Sequence, residues 1–303
     1  MAKNKKAPII LFVLMSVTGT GIMLYPAVSD YVNSLRQTKA IAAYHTELSN
    51  ASDERIQAIR NAAERYNDKL RKLGGKAAGS DELHKEYNNT LRLGVSEVMG
   101  YIEIPKINVY LPIFHGTDQS VLAAGVGHLE GTYLPIGGVN THAALSGHRG
   151  LPTAKLFTNL DKLETGDIFT VHVLNRKLYY MVYNIKVVLP DDVSHLSVEP
   201  GKDLVTLITC TPYGINTHRL LVTGVRITDK NLLDTLIQPA VPMQVFDWQR
   251  HLIRFPLQTQ VLLASAALAI VIKIILQLRQ KRLKDEYAQT NRRAFNIRPE
   301  RIA

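Results

Sequence analysis

Apolar and polar residues divide the chain into two apolar end segments, a polar helical region and a strand-rich region. One uncharged apolar run extends from Pro8 to Val28, and a second, interrupted by Lys273, extends from about Leu257 to Leu278. Each run is long enough to cross the hydrocarbon core of a bilayer, and Lys273 lies near the end of its run, where it can reach the interface. The pattern predicts two transmembrane helices, with a buried core helix as the alternative for each.

Residues 30–96 have the pattern of a helical region. Apolar residues recur there at steps of three and four, as on one face of a helix: Ile56, Ile59, Ala63, Tyr66, Leu70 and Leu73. Ser52-Asp53 is the predicted N-cap, and Gly74-Gly75 ends the run. A second short helix is predicted around Tyr87. We expect the long helix to lie on the following domain, with a coiled-coil partner as the alternative.

Residues 97–228 form a region of predicted strands. Short runs rich in β-branched and aromatic residues are separated by Gly, Pro, Asn and Asp: GYIEIPKI, NVYLPIF, THAALSG, DIFTVHV, KLYYMVYNIKVV, DLVTLITC and HRLLVTGVRI. Many short strands with few long helices between them favour a barrel or a sandwich. The chain is therefore predicted to be mainly β in this part, with a juxtamembrane segment at 229–256.

The net charge of +10 is concentrated at the two ends of the chain. Three lysines precede residue 7, and the tail at 279–303 is strongly basic, whereas residues 7–272 are nearly neutral. A nucleic-acid-binding domain needs a basic stripe on its folded surface, so nucleic acid is not expected as a partner. The positive-inside rule places both ends in the cytoplasm and the middle outside. Alternatively, Ala27-Val28-Ser29 is a cleavage site and residues 1–29 contain a signal peptide.

Cys210 is the single cysteine, so no intramolecular disulfide can form. It ends the predicted strand LVTLIT and precedes the turn sequence Thr211-Pro212-Tyr213-Gly214. A thiol at a strand end beside a loop is accessible to a substrate. For such a thiol to act as a nucleophile, a base or cation and a group that stabilises an oxyanion must be nearby. A lone cysteine without these neighbours would be read as a buried, inert residue.

Two residues can supply these groups. His148 follows the predicted strand THAAL in a turn flanked by Gly147 and Gly150, so it can project into a cleft. Arg219 begins the strand after the Cys210 loop, and a hairpin would bring its guanidinium beside the thiol. His142, on the strand that leads to His148, is the second choice of base. The histidines lack the spacing of metal ligands, so no metal site is predicted.

The residues around these three positions resemble the sortase family. Thr206-Leu207-Ile208-Thr209-Cys210 is similar to the TLxTC signature of that family, and Arg219 follows at the spacing the family uses. Ser146-Gly147-His148 resembles the motif that carries the family's catalytic histidine, and MGYIEIPKINVYLPIFHGT resembles its first strands. The resemblance covers about residues 97–228.

This resemblance implies a closed eight-stranded β-barrel with the active site at one end. It implies that Cys210 attacks the Thr–Gly carbonyl of an LPXTG-like sorting signal and forms a thioester. His148 would act as general acid and base, and Arg219 would hold the carbonyl and the oxyanion. Thr209 and Thr206 of the signature are the implied substrate-binding residues. An amine then resolves the thioester, and no cofactor is needed.

The two predicted spans, the helical N-terminal region and the phrases HRGLP and CTPYGINTHRLLVTG resemble class C sortases. Those enzymes join pilin subunits through a lysine amine, on the outer side of the membrane of Gram-positive bacteria. The expected partners are pilins and surface proteins with sorting signals. The alternatives are a sortase that anchors proteins to peptidoglycan and, less favoured, a tethered scaffold protein with an inactive site.

One departure from class C concerns the lid. Those sortases usually carry an Asp-Pro-aromatic tripeptide whose ring covers the cysteine and whose Asp meets the arginine. Residues 30–98 contain no such tripeptide, and the nearest stretch is Asp81-Glu82-Leu83. We therefore expect a more open site than in relatives with a lid.

Overall fold

A computed structural model describes residues 7–74, 81–229 and 232–233, together with single residues at 273, 277 and 279. The chain divides into two compact units, 1–235 and 236–303. The first predicted span, 8–28, falls within helix α1 (Ala7–Asn50). No helix in the described ranges has a stretch that is both long and apolar enough to cross a membrane. The second predicted span, 257–278, lies outside the described residues apart from 273 and 277. The juxtamembrane segment lies outside them apart from 229 and 232–233, and the basic tail apart from 279.

Eight strands form a closed barrel in the order β1-β2-β3-β4-β7-β8-β6-β5. The strands are β1 (Val98–Ile104), β2 (Val109–His115), β3 (Val126–His128), β4 (Thr141–Ser146), β5 (Ile168–Val173), β6 (Arg176–Val188), β7 (Asp203–Thr211) and β8 (His218–Arg226). The β2–β3 and β4–β7 pairs are parallel and the others are antiparallel. The closed eight-stranded barrel implied by the family resemblance is confirmed.

All seven strand-like runs of the sequence are strands in the structure, and the eighth, β3, was missed. It contains only three residues, Val126–His128, two of which are Gly and His, so no alternating pattern marks it. Its glycine packs tightly. A Cβ on Gly127 would lie 2.3 Å from the backbone oxygen of Gly116, and a side chain is therefore excluded at the β2–β3 contact.

Short helices connect the strands. α4 (Gln119–Ala124) precedes β3, and 3₁₀ helices occupy Pro105–Ile107, Leu160–Lys162 and Ser194–Leu196. The segment 189–202 leaves β6 beside Arg219 and returns to β7 at Asp203, so it runs from one end of the barrel to the other.

The N-terminal helices pack on the barrel, as expected for α2 (Asp53–Leu73). Ser52 accepts a hydrogen bond from the Arg55 amide at 3.3 Å, and Gly74 adopts the left-handed conformation at the C-cap. The predicted apolar face is buried from Ile56 to Leu70, but Leu73 in the last turn is 44% exposed.

Buried polar contacts attach the helices to the barrel. The hydroxyl of Tyr44, on α1, accepts a hydrogen bond from the Leu174 amide at 2.6 Å. The side chain of Asn67, on α2, accepts from the Leu134 amide at 2.8 Å. Tyr87, on α3 (Asp81–Asn89), is fully buried and its hydroxyl lies 3.0 Å from Nδ1 of His128. These contacts satisfy groups that would otherwise be costly to bury.

Candidate active site

Strand β7 lies at the centre of the candidate site, with β4 on one side and β8 on the other. Cys210 is the last residue but one of β7, and it is partly exposed. Its partner across the antiparallel ladder is Arg219, the second residue of β8. Residues directly opposite in such a pair have side chains about 5 Å apart at Cβ. The hairpin predicted from the sequence therefore places Arg219 directly opposite Cys210 on the neighbouring strand.

His148 lies beyond the end of β4, on the other side of Cys210. The parallel pairing of β4 with β7 ends at Ser146 and Ile208, and His148 and Cys210 each follow two residues later. The amide of Gly147 continues the contact by donating to the Ile208 oxygen at 3.0 Å. The candidate base and the candidate nucleophile thus occupy equivalent positions at the ends of two neighbouring strands.

The turn that carries His148 is held by close packing. A Cβ on Gly147 would lie 2.7 Å from the ring of Phe157, so only glycine allows this contact. The carbonyl of His148 accepts a hydrogen bond from the Phe157 amide at 3.1 Å. Phe157 is itself fully buried. The backbone of the candidate base is therefore attached to the barrel core.

Burial lowers the pKa of His148 below its ordinary value of 6.5. Desolvation is the cause, because a charged imidazolium loses hydration in a partly enclosed site. Among the described residues, no group forms a hydrogen bond with His148 Nε2, which is buried. At neutral pH the ring is neutral and can accept a proton. Because this nitrogen is enclosed, a substrate could reach it only if the groups that cover it moved.

Backbone carbonyls at the end of the β7–β8 loop orient the guanidinium of Arg219. Its Nη1 donates to the backbone oxygens of Asn216 and His218, at 3.2 and 3.1 Å. Among the described residues, no carboxylate forms an ion pair with it. A guanidinium that is oriented by carbonyls and not neutralised by a carboxylate can hold a substrate carbonyl or an oxyanion.

Thr206 and Thr209 are buried in this structure. Thr206 is fully buried, and its hydroxyl lies 2.7 Å from His142 Nε2 and 2.8 Å from the hydroxyl of Thr223. Thr209 is 2% exposed and donates to the Gly147 oxygen at 2.7 Å. A substrate could reach either hydroxyl only if the covering residues moved. The substrate-binding role implied for them stays a prediction.

His142, the second choice of base, lies far from Cys210. It is 2% exposed and pairs with Leu204 across β4–β7. Six residues of extended strand, roughly 20 Å, separate Leu204 from Cys210. Both of its ring nitrogens have partners, since Nδ1 lies 2.8 Å from the Ser197 oxygen. The structure brings together Cys210, His148 and Arg219, but not His142.

Arg149 was missed as a site residue by sequence reasoning. Its side chain is only 8% exposed, and it contacts both Thr211, next to Cys210, and Asp161. The signal that could have revealed it is a basic residue directly after the candidate base and before a glycine with positive φ, Gly150. Such a residue is held close to the turn and cannot extend freely into solvent.

The closed barrel, with a cysteine, a histidine and an arginine at three adjacent strand ends, defines a class of cysteine enzyme. A profile of the sortase domain matches residues 102–227. The crystal structure of sortase C1 from Streptococcus agalactiae is 46% identical, with a TM-score of 0.61, and the match covers 63% of this chain and 99% of that one. The chain belongs to the sortase family, whose members are cysteine transpeptidases.

Two further comparisons agree. The X-ray structure of Clostridium perfringens sortase C, solved with the C-terminal cell wall sorting motif, is 45% identical and has a TM-score of 0.55. The match covers 63% of this chain and 98% of that chain. Sortase D of Bacillus subtilis strain 168 is 35% identical over 135 residues, which are 44% of this chain. The match spans 65% of the length of that curated relative. The solved relatives named here are both sortases C.

Proposed function

We propose that this protein is a class C sortase that cleaves an LPXTG-like sorting signal and transfers it to a lysine amine of another pilin subunit. The observation that carries the proposal is the placement of Cys210 between His148 and Arg219 on neighbouring strands. Similarity to two sortases C at about 45% identity supports the class. One of these was solved with a cell wall sorting motif, which supports a sorting signal as substrate.

The reaction proceeds in two acyl-transfer steps. Cys210 loses its proton to the neutral His148, and the sulfur attacks the threonine carbonyl of the signal. Arg219 stabilises the negative charge that develops on the carbonyl oxygen. The C–N bond to glycine breaks, His148 donates the proton to the leaving amine, and a thioester remains on Cys210.

A lysine amine of the acceptor then attacks the thioester. His148 takes a proton from this amine, the thiolate of Cys210 leaves, and an isopeptide bond forms. One amide bond is broken and one is made, so the free energy of the peptide bond is largely conserved and no nucleotide is consumed. The lowered pKa of His148 suits this exchange, because the neutral ring is the form that accepts a proton at neutral pH.

We also propose that the catalytic domain, 97–228, lies outside a Gram-positive cell membrane, held by spans at 8–28 and 257–278. The first half of α1 supports this for the first span. From Leu14 to Val28 the large apolar side chains are mostly exposed, among them Leu14, Met15, Val17, Ile22 and Met23. Apolar surface of this kind is unusual in water and suits lipid.

Anchoring of proteins to peptidoglycan is the second candidate function. The barrel and the three site residues would be the same, and only the acceptor amine would differ. The two predicted spans and the similarity to sortases C favour polymerisation. The two functions are separated by incubating the full chain, in detergent, with a pilin and with a wall-peptide amine. Ladders of covalent pilin on a denaturing gel indicate polymerisation, and transfer to the wall peptide alone indicates anchoring.

The proposal is tested by mass spectrometry of the full chain, purified in detergent and mixed with an LPXTG-type peptide. We expect a covalent adduct of the peptide up to its threonine, located on Cys210 and released by hydroxylamine. The matched control is Cys210→Ala, which should form no adduct while retaining the melting temperature of the wild type. Failure of the wild-type chain to form any adduct with a panel of sorting peptides would contradict the function.

A further inference from the structure

The strand ends that carry the candidate base and nucleophile are joined by few backbone contacts. Among the described residues, the backbone hydrogen bonds between the end of β4 and the end of β7 stop at Gly147, whose amide donates to Ile208. His148 and Cys210 both lie beyond this point. Their separation therefore depends on contacts made by side chains.

Thr209 makes one such contact, to the Gly147 oxygen, and Arg149 makes the contacts beyond it. Its Nη1 donates to the hydroxyl of Thr211 at 3.1 Å, and its Nη2 lies 2.5 Å from a carboxylate oxygen of Asp161. The guanidinium carbon lies 5.9 Å from the ring centre of Tyr213, in the loop between β7 and β8. One side chain next to His148 thus contacts the residue next to Cys210 and the loop that follows it.

The carboxylate that pairs with Arg149 belongs to a segment that is packed against the barrel core. Asp161 lies in the 3₁₀ helix Leu160–Lys162, and Leu160 is fully buried. The Leu160 amide donates to the Phe157 oxygen, and Phe157 contacts the His148 turn. The guanidinium is therefore oriented by a segment that is attached to the barrel core.

We propose that Arg149 is a positioning residue for acyl transfer, which fixes the His148 turn against the end of the Cys210 strand. This inference rests on the proposed function. The planar guanidinium can contact a hydroxyl, a carboxylate and an aromatic face at once, in fixed directions. A lysine ammonium at the same position lacks this planar fork and cannot reproduce all three contacts.

A purely structural role is the alternative, and it predicts a different result. An arginine that only stabilises the fold would, when replaced, lower the melting temperature and leave kcat of the folded fraction unchanged. A positioning residue alters kcat with little change in KM, because the peptide still binds while proton transfer is misaligned. Misplacement of a reacting group by about 1 Å can reduce a rate on the order of a hundredfold.

The test compares Arg149→Lys, Arg149→Gln and Thr211→Val in the full chain in detergent, with kcat and KM for a sorting peptide. We expect kcat to fall roughly tenfold to a hundredfold in both Arg149 variants, with KM changed less than about threefold. Thr211→Val removes only the link to the Cys210 strand and should cause a smaller fall. The double variant Arg149→Gln/Thr211→Val should lose no more than Arg149→Gln alone, because both changes break one link.

A second measurement needs no sorting peptide. Cys210 is the single cysteine, so its rate of alkylation by iodoacetamide can be followed against pH. The charged or titratable side chains on the segments around it are His148, Arg149, Asp161, Tyr213, His218 and Arg219. Loss of the Arg149 contacts should raise this rate at each pH, because the strand end that carries the thiol is no longer fixed to the His148 turn. Arg71→Gln, which breaks an exposed ion pair on α2, is the matched control and should leave the alkylation rate of Cys210 unchanged.

The outcomes separate the two proposals. If the wild-type chain forms no peptide adduct, the proposed function fails, and the alkylation profile still decides the role of Arg149. Unchanged kcat in both Arg149 variants overturns the inference, as does a loss of kcat explained wholly by the unfolded fraction. An unchanged alkylation rate of Cys210 in Arg149→Gln also overturns it. If Arg149→Gln does not fold, Arg149→Lys and Thr211→Val carry the test.

Discussion

The hydroxyl of Thr206 lies 2.7 Å from Nε2 of His142, in a buried chain of polar groups on β4, β7 and β8. The direction of each hydrogen bond follows from the groups at the two ends of this hydrogen-bonded series. Nδ1 of His142 faces the Ser197 carbonyl, which can only accept, so Nδ1 carries the proton and Nε2 accepts from Thr206. The hydroxyl of Thr206 then accepts from Thr223. The signature threonine therefore attaches the segment 189–202 to the barrel through His142.

We expect Thr206→Val to lower the free energy of unfolding by about 1–3 kcal/mol, because it leaves His142 without a donor and Thr223 without an acceptor. Thr223→Val is the matched control and should lower the free energy of unfolding by less. It removes only one of the two hydrogen-bond partners of the Thr206 hydroxyl. Urea unfolding followed by circular dichroism measures both. KM for a sorting peptide should stay unchanged, and a large rise in KM would favour the substrate-binding role for Thr206.

Arg219→Ala should reduce kcat for peptide cleavage on the order of a hundredfold to a thousandfold, the loss typical of removing one oxyanion donor. Arg219→Lys should recover only part of the rate, because the ammonium lacks the planar fork that the loop carbonyls orient. Steady-state kinetics on the purified chain provides the measurement. The control is Arg226→Ala at the opposite end of β8, where Arg226 pairs with Asp203. Arg226→Ala should lower the stability of the fold and leave kcat unchanged.

The absence of the lid tripeptide leads to a prediction about Asp81. This residue is exposed at the start of α3, in the stretch of residues 30–98 that comes nearest to the tripeptide. If no lid closes here, Asp81→Asn should leave both turnover and the alkylation rate of Cys210 within about twofold of the wild type. A rise in both rates would instead reveal an inhibitory contact of Asp81. Deletion of 74–92 is a poorer test, because it removes the buried Tyr87 and with it part of the core.

The sequence predicted most of what lies near the candidate site, because the chemistry there is local. The strand LVTLIT, the turn after Cys210 and the next strand determine the hairpin, so the neighbourhood of Cys210 and Arg219 followed from adjacent residues. The position of His148 required a contact between strands that are about sixty residues apart. No periodicity in one sequence reports such a contact, and the family resemblance supplied it.

Other features depended on tertiary contacts that the sequence does not show. The strand β3 has three residues and no pattern of its own. The burial of Thr206 could not be predicted, because its partners His142 and Thr223 lie on the neighbouring strands β4 and β8. The role of Arg149 became visible only when Thr211, 62 residues away along the chain, and Asp161 were placed beside it.

The buried His128 should make the barrel sensitive to acid. It is fully buried, and desolvation lowers its pKa from 6.5 to about 4. Its Nε2 faces the Tyr133 carbonyl and must donate, so the neutral ring carries its proton at Nε2. The Tyr87 hydroxyl lies 3.0 Å from both Nδ1 and the backbone oxygen of His128, and it can donate its one proton to either acceptor. Between pH 6.5 and about 4 the unfolded chain binds a proton at this histidine that the folded chain does not. Stability therefore falls with decreasing pH in this window, by about 3 kcal/mol from this group.

The measurement is the free energy of unfolding in urea at several pH values from 7 down to 4.5. His128→Asn keeps an oxygen that can accept from Tyr87, and it should be less stable at pH 7 yet show a slope smaller by up to one proton. Some slope should remain, because burial also lowers the pKa of His115 and His142. His218→Asn, at a less buried position on β8, is the control and should retain the slope of the wild type. An unchanged slope in His128→Asn would show that another group governs the acid sensitivity, since only a group whose protonation differs between the folded and unfolded chains can produce it.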